Sequence, residues 1–159
     1  MPLLDYRELS PQQRDQLIDL HVHPAQLRYS GDVASAVYTL LSSPSDDRRG
    51  IVLPLDGVPR AFLLLQRRAF LPQWSENDAA TIAALQVDRR FQGRGLGRSL
   101  MQALPDQVRA MWPEVRRLQL SVDRGNHAAL ALYLGTGWSH SGDGYRATTG
   151  YEYRLTLNL

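Results

Sequence analysis

The stretch LQVDRRFQGRGLG, residues 85–97, decides how this chain reads. A β-rich run ends at Val87, and three glycines follow at Gly93, Gly95 and Gly97, with Arg94 between the first two. A helix then starts near Gly95, carrying Leu96, Leu100, Leu104, Val108 and Met111 on one face to about Met111. A strand that passes through such a loop into a helix leaves backbone N–H groups without intrahelical partners at the positive end of the dipole. That arrangement binds anions, phosphates above all. A plain tight turn would explain one glycine, but not three interleaved with Arg94 and followed by Arg98.

Two common phosphate binders can be set aside. A nucleoside-triphosphate loop needs Gly-Lys, and all eighteen basic residues of this chain are arginine. A dinucleotide fingerprint needs a third glycine where Arg98 stands. The chain has 159 residues, 43% hydrophobic and 21% charged, which predicts one compact folded domain over 1–159. A formal net charge of +2 is too small to indicate a nucleic-acid or membrane partner. With no cysteine, thiolate nucleophiles and cysteine-ligated metals are excluded. His21 and His23 form a His-x-His pair without a matching carboxylate spacing, so no metal is expected. Neither a signal-like start nor an eighteen-residue apolar run is present, and the expected location is cytoplasmic.

Elsewhere the pattern alternates between β and α. LLDYREL predicts an opening strand, and Ser10-Pro11 cap a first helix. A second helix should begin near Asp32 and bury Val33, Val37, Leu40 and Leu41, with a loop over Pro44–Arg49. IVLPLD and PRAFLLLQRR, separated by Asp56-Gly57, predict an antiparallel hairpin in which Pro54 suits an edge. AATIAALQV reads as a strand, and Pro105 should kink the long helix that follows the glycines. VRRLQLSV predicts a strand, then a short helix framed by Asn126 and Gly135, and YEYRLTLNL predicts a closing strand.

Gln92-x-x-Gly95-x-Gly97, preceded by LQVDRRF, resembles the GNAT superfamily of acyl-CoA-dependent N-acetyltransferases. SVDRGNHAALALYLGTGW resembles that family's later motif, in which a tyrosine follows a helix-opening asparagine by seven residues. Asn126 and Tyr133 then share one helix face, about 10 Å apart. The specific match covers roughly residues 79 to 140, and PAQLRYSGDVASAV adds a looser likeness to the polyamine acetyltransferase branch. The resemblance implies a single α/β domain: a mixed, mostly antiparallel sheet, splayed at its centre to admit acetyl-CoA and flanked by about four helices.

Carried onto this sequence, the family pattern puts Leu85, Gln86 and Val87 alongside the pantetheine arm of acetyl-CoA. Gln92, Gly93, Arg94, Gly95, Leu96, Gly97 and Arg98 hold its pyrophosphate, with Asn126 and Tyr133 also at the cofactor. Tyr133 would protonate the departing sulfur, and a strand bulge near Gln86 or Val87 would free an N–H for the thioester carbonyl. A tyrosine on a short apolar helix can equally be a core residue.

Acyl transfer also needs a neutral amine, and the candidate proton acceptors are Glu76, Asp78, His127 and His140. Glu76 is paired with Tyr133 as the catalytic candidate, against the plainer reading of a solvated loop beside Trp74. The expected acceptor is a primary amine of a small molecule or peptide, shaped by residues 20 to 45 and 66 to 78, among them His23, Tyr29 and Trp74. A homodimer is the expected assembly by analogy. The competing reading is a non-catalytic acyl-CoA sensor or interaction module.

Overall fold

The computed structural model describes residues 2–22, 24, 27, 29 and 31–159. Its strands are β1 (Leu4–Asp5), β2 (Arg48–Leu55), β3 (Val58–Arg67), β4 (Ala79–Val87), β5 (Arg117–Val122), β6 (Ser139–Ala147) and β7 (Gly150–Asn158). Four α-helices are described: α1 (Pro11–Ile18), α2 (Val33–Ser42), α3 (Leu96–Met111) and α4 (His127–Gly135). The strands form one seven-stranded sheet in the order β1-β2-β3-β4-β5-β7-β6. Every neighbouring pair is antiparallel except β4 and β5, which are parallel.

The apolar runs of β2 and β3 are continuous because both faces of these strands are covered. Ile51, Leu53, Leu63 and Leu65 face a core shared with Leu100, Leu104, Val108 and Trp112 of the α3 side. Val52, Phe62 and Leu64 face a second core with Leu17 of α1 and Val33, Val37 and Leu40 of α2. Asp56 and Gly57 close the hairpin with φ of 52° and 77°, the left-handed pair that a two-residue turn of this twist needs. Pro54 lies past the end of β1, which pairs only with Ile51 and Val52, so its missing N–H disrupts no ladder there. Ser10 caps α1 in a reciprocal box, its hydroxyl accepting from the Gln13 N–H at 3.1 Å and its own N–H donating to Gln13 at 3.0 Å.

Several expectations are corrected. The opening strand is only two residues long, because the Asp5 side chain accepts from the Arg7 N–H and starts a 3-10 turn over Tyr6–Glu8. Asp32 caps α2 as read, but Leu41 is 53% exposed and Ala36 takes its place in the buried stripe. β2 already begins at Arg48, inside the expected loop. Pro105 lies inside α3 as read, and the helix continues past it to Met111. Gly135 belongs to α4, and the left-handed glycine beyond its end is Gly137 at φ 100°. Strand β6 was not predicted at all: SHSGDGYRA is polar, carries two glycines and bulges twice against β7.

The sheet opens at its centre. β4 and β5 pair only from Ala79–Arg117 to Thr81–Gln119, while both strands continue further. Between Leu64↔Ala83 and Phe62↔Gln86, β4 uses three residue steps against two on β3, a bulge centred on Ala84 with φ 56°. The extra residue turns β4 away from β5 and leaves a wedge between them. No helix among the described residues is long and apolar enough to cross a membrane.

Candidate active site

A cavity of about 460 Å³ occupies this wedge. Its walls are Ile82–Val87 of β4 on one side and Leu120–Val122 of β5 on the other, and it runs to the glycine loop, α4 and Glu152 of β7. It therefore reaches both faces of the sheet. Leu118, Leu120 and Val122 of β5 join the core on the α3 and α4 face, where Tyr133 sits. Gln119 and Ser121 alternate onto the opposite face, bonded to Thr156 and Glu152 of β7.

At one end lies the loop after β4, shaped by a buried carboxylate and two left-handed glycines. Asp88, with its side chain wholly buried, accepts from the Arg90 N–H at 3.1 Å and from the Arg90 guanidinium at 2.9 and 2.6 Å. It also pairs with Arg60 at 3.2 Å. Burial pushes the Asp88 carboxyl up, but the bonds from Arg90 and the charges of Arg90 and Arg60 more than offset this and hold it below the usual aspartate value. The Gln92 side chain donates to the Val87 carbonyl at 3.0 Å, tying the loop to the strand end. Gly93 and Gly95 take φ of 80° and 74°, and Gly95 hands the chain into α3. The first bond of the α3 ladder runs from the Ser99 N–H to the Gly95 carbonyl at 2.9 Å, so the N–H groups of Leu96, Gly97 and Arg98 precede it. Arg98 lines the cavity beside them.

Two substitutions separate the glycine roles. Nothing lies within 4 Å of a Cβ at Gly95, so Gly95→Ala meets only backbone strain and should cost about 1–2 kcal/mol in urea unfolding. A Cβ at Gly97 meets Leu132 at 3.4 Å in ordinary contact and gains helix propensity, so Gly97→Ala should leave the urea midpoint equal or higher.

Loss of the Asp88 charge should matter more. Asp88→Asn is expected to destabilise the fold by about 2–3 kcal/mol at pH 6–7, since it removes charge-assisted bonds from a buried position. The folded carboxyl is depressed, so its contribution is full above the unfolded pKa near 3.9 and is lost as pH falls through the folded value. The gap between wild type and variant, measured by urea titration, should hold from pH 7 to 5 and close below about pH 4.

At the opposite wall, Asn126 caps α4 by accepting the Ala129 N–H at 3.3 Å, and seven residues on Tyr133 faces the cavity. Tyr133 is 8% exposed, packs against Trp138 and makes no hydrogen bond through its hydroxyl among the described residues. Burial pushes that hydroxyl well above the usual tyrosine range, so it stays protonated at neutral pH.

Of the residues singled out in the sequence, the cavity brings together Leu85, Gln86, Val87, Gln92, Gly93, Gly95, Leu96, Gly97, Arg98, Asn126 and Tyr133. Arg94 is not on its wall; its guanidinium stacks over Phe91. Glu76 is placed elsewhere. It lies before the paired end of β4, held by Arg117 at 2.8 Å and Gln119 at 3.1 Å, and does not line the cavity. Three other candidate bases are also absent from the wall: Asp78 bonds Arg117, His140 stacks edge-on against Tyr153, and His127 opens α4. Tyr29 lines the cavity, whereas Trp74 packs against Tyr145 and His23 lies outside the described residues. Ser121, Asp123 and Glu152 line the cavity without having been read from the sequence. The alternation of YEYRLTLNL puts Glu152, Arg154 and Thr156 on one strand face, but no local signal places β7 beside β5. No group of three or more histidines, aspartates or glutamates among the described residues is placed to hold a metal ion.

Fold and cleft thus define an α/β protein whose sheet is split between two parallel strands beside a glycine loop and the N-terminus of α3. The chain belongs to the acetyltransferase (GNAT) family, whose model matches residues 14–138. Over 85 residues it is 41% identical to the [ribosomal protein bS18]-alanine N-acetyltransferase of Salmonella typhimurium, a match spanning 52% of this chain and 56% of that relative. It is 24% identical to the spermine/spermidine N(1)-acetyltransferase of Bacillus subtilis over 88% of this chain and 90% of the other. Among solved structures, the ribosomal-protein-S18-alanine N-acetyltransferase from Escherichia coli superposes with a TM-score of 0.65 at 22% identity, covering 99% of this chain and 92% of that one. The aminoglycoside acetyltransferase AAC(6')-Ib with coenzyme A gives 0.74 at 16% identity, over 98% and 93% of the two chains. At such identities the superpositions establish the shared fold.

Proposed function

We propose that this protein transfers the acetyl group of acetyl-CoA directly to a primary amine of a small molecule or peptide. The observation that carries the reading is the wedge between β4 and β5, with the N–H groups that precede the α3 ladder at one end and the protonated, unengaged Tyr133 hydroxyl on its wall. The residues present fit the co-substrate: N–H groups ahead of the α3 ladder and Arg98 suit a pyrophosphate, and Ile82–Val87 offer a strand edge unpaired by β5 to an extended arm. When bound, acetyl-CoA supplies the activated acyl carbon. The chain then orients that thioester along β4, excludes water with Leu120, Val122 and Leu132, and holds a proton at Tyr133 for the leaving sulfur. No covalent enzyme intermediate is required.

The acceptor is the open point of specificity, since the relatives act on amines as different as a ribosomal protein alanine and spermine or spermidine. Free thiol release from acetyl-CoA, followed with polyamines, amino acids, aminoglycosides and short peptides bearing an N-terminal alanine, tests both parts of the reading. Release with one amine class supports the transferase and names its acceptor. Calorimetric binding of CoA with no release across the panel favours the acyl-CoA sensor instead.

A further inference from the structure

Transfer to a protonated amine needs a group that takes the ammonium proton, and the candidates read from the sequence do not reach the cavity. Two carboxylates do: Asp123 and Glu152. Asp123 turns into its own loop, accepting the Gly125 N–H at 2.7 Å. Glu152 is held differently. The Ser121 hydroxyl donates to its Oε1 at 2.7 Å, and the same Ser121 Oγ accepts the Tyr145 N–H at 2.9 Å. Ser121 is thereby oriented from β6 and aimed at β7. The bulge of β6 between Asp143 and Arg146 makes this possible by laying Gly144 on Ser121, where a Cβ would stand 2.1 Å from the Ser121 Oγ.

Three strands therefore converge to fix one half-buried carboxylate on a cavity wall. In a chain with eighteen arginines, none lies within ion-pair distance of Glu152 among the described residues. The charged and titratable groups on the elements around it are Asp123 and Arg124 after β5, Asp143, Tyr145 and Arg146 on β6, Arg154 on β7, and Tyr29 on the cavity wall. Arg124 bonds the Tyr151 carbonyl, and Arg154 bonds Ser141 and the Trp74 carbonyl. Neither guanidinium neutralises Glu152. Ser121 and Glu152 lie on the opposite face of β5 from Tyr133, so the cavity separates an acceptor of protons from a donor.

Resting on the acetyltransferase reading, we propose that Glu152, oriented by Ser121, is the catalytic base, and that a cationic primary amine enters from the Ser121 face of the sheet. The ammonium nitrogen gives one proton to the Glu152 carboxylate. Its freed lone pair forms the C–N bond at the thioester carbonyl, the C–S bond breaks, and the sulfur leaves with the Tyr133 proton. The second proton lost by the nitrogen restores the Tyr133 hydroxyl, and Glu152 returns its proton to solvent.

The test is the pH profile of kcat/KM for the full-length protein, Glu152→Gln and Ser121→Ala, using acetyl-CoA and the best amine from the panel, with CoA affinity and thermal midpoint measured alongside. Glu152→Gln keeps an oxygen for the Ser121 hydroxyl but loses the base. It should be about 100-fold slower at pH 7, recover toward wild type near pH 10 where the ammonium loses its proton to solvent without help, and bind CoA unchanged. Ser121→Ala, which removes a positioning residue, should lose about tenfold with the same recovery at high pH. Equal rates for Glu152→Gln and wild type across pH would overturn the role of Glu152, and so would a loss that high pH does not rescue. Should Glu152→Gln prove poorly folded, Glu152→Asp decides: a slower enzyme that keeps the wild-type pH dependence supports the base, and one that loses it overturns it. If the wild-type protein itself transfers nothing while binding CoA, the transferase reading falls, and this assignment with it.

Discussion

Tyr133→Phe should lower kcat about 100-fold or more while leaving CoA affinity within about twofold of wild type. The substitution removes one oxygen and keeps the ring, so the tilted packing on Trp138 at 6.0 Å survives. It deletes no hydrogen bond within the described structure, since the hydroxyl makes none there. Fold and cofactor site are therefore poor explanations for any loss of rate. Burial holds the hydroxyl protonated at neutral pH, so the proton is in place when a sulfur acquires negative charge beside it. Calorimetry for CoA and steady-state rates with a saturating amine separate the two effects. An unchanged kcat would remove Tyr133 from the chemistry and leave it a core residue.

Gly144→Ala should be the most damaging single-methyl change in the molecule. Its Cβ would stand 2.1 Å from the Ser121 Oγ, 2.7 Å from the Ser121 Cβ and 3.2 Å from the Ser121 Cα. The first atom could rotate away, but the last is backbone in a central strand and cannot. Relief requires β6 to lift from β5, which costs about 2–3 kcal/mol or more, a fall in thermal midpoint of about 5–10 °C. The same movement withdraws the Tyr145 N–H from Ser121 and frees the Glu152 contact, so activity should fall further than stability predicts. Gly150→Ala is the control: φ is 134° there, but no atom lies within 4 Å of the added Cβ, so its cost is strain alone and its effect on rate should be small. Equal thermal midpoints for Gly144→Ala and wild type would show that β6 yields without cost.

The glycine loop was legible because it is local. Gly93, Gly95 and Gly97 lie within five residues, and their physical demands, two positive φ angles and a helix packed on Leu132, are met by near neighbours in sequence or by the next helix. Asn126 and Tyr133 were legible for the same reason, since helical geometry alone carries one to the face of the other. Leu41 was misread because solvent exposure depends on what packs against a residue, not on its own preference.

The carboxylate on the cavity wall was hidden. Glu76 stands just before β4 in the sequence, yet the Arg117 and Gln119 side chains of β5 hold it outside the cavity. Glu152 looked like one polar residue in an alternating strand, and β6, which orients its partner, was not visible at all. By itself, then, the sequence determined the glycine loop, its helix, the hairpin turn and the capped tyrosine helix, because each obeys short-range backbone geometry. Only the tertiary structure decided where the sheet splits and which carboxylate meets the split. Strand order and register join residues such as Ser121 and Glu152 across 31 positions of chain, a distance at which no local preference acts.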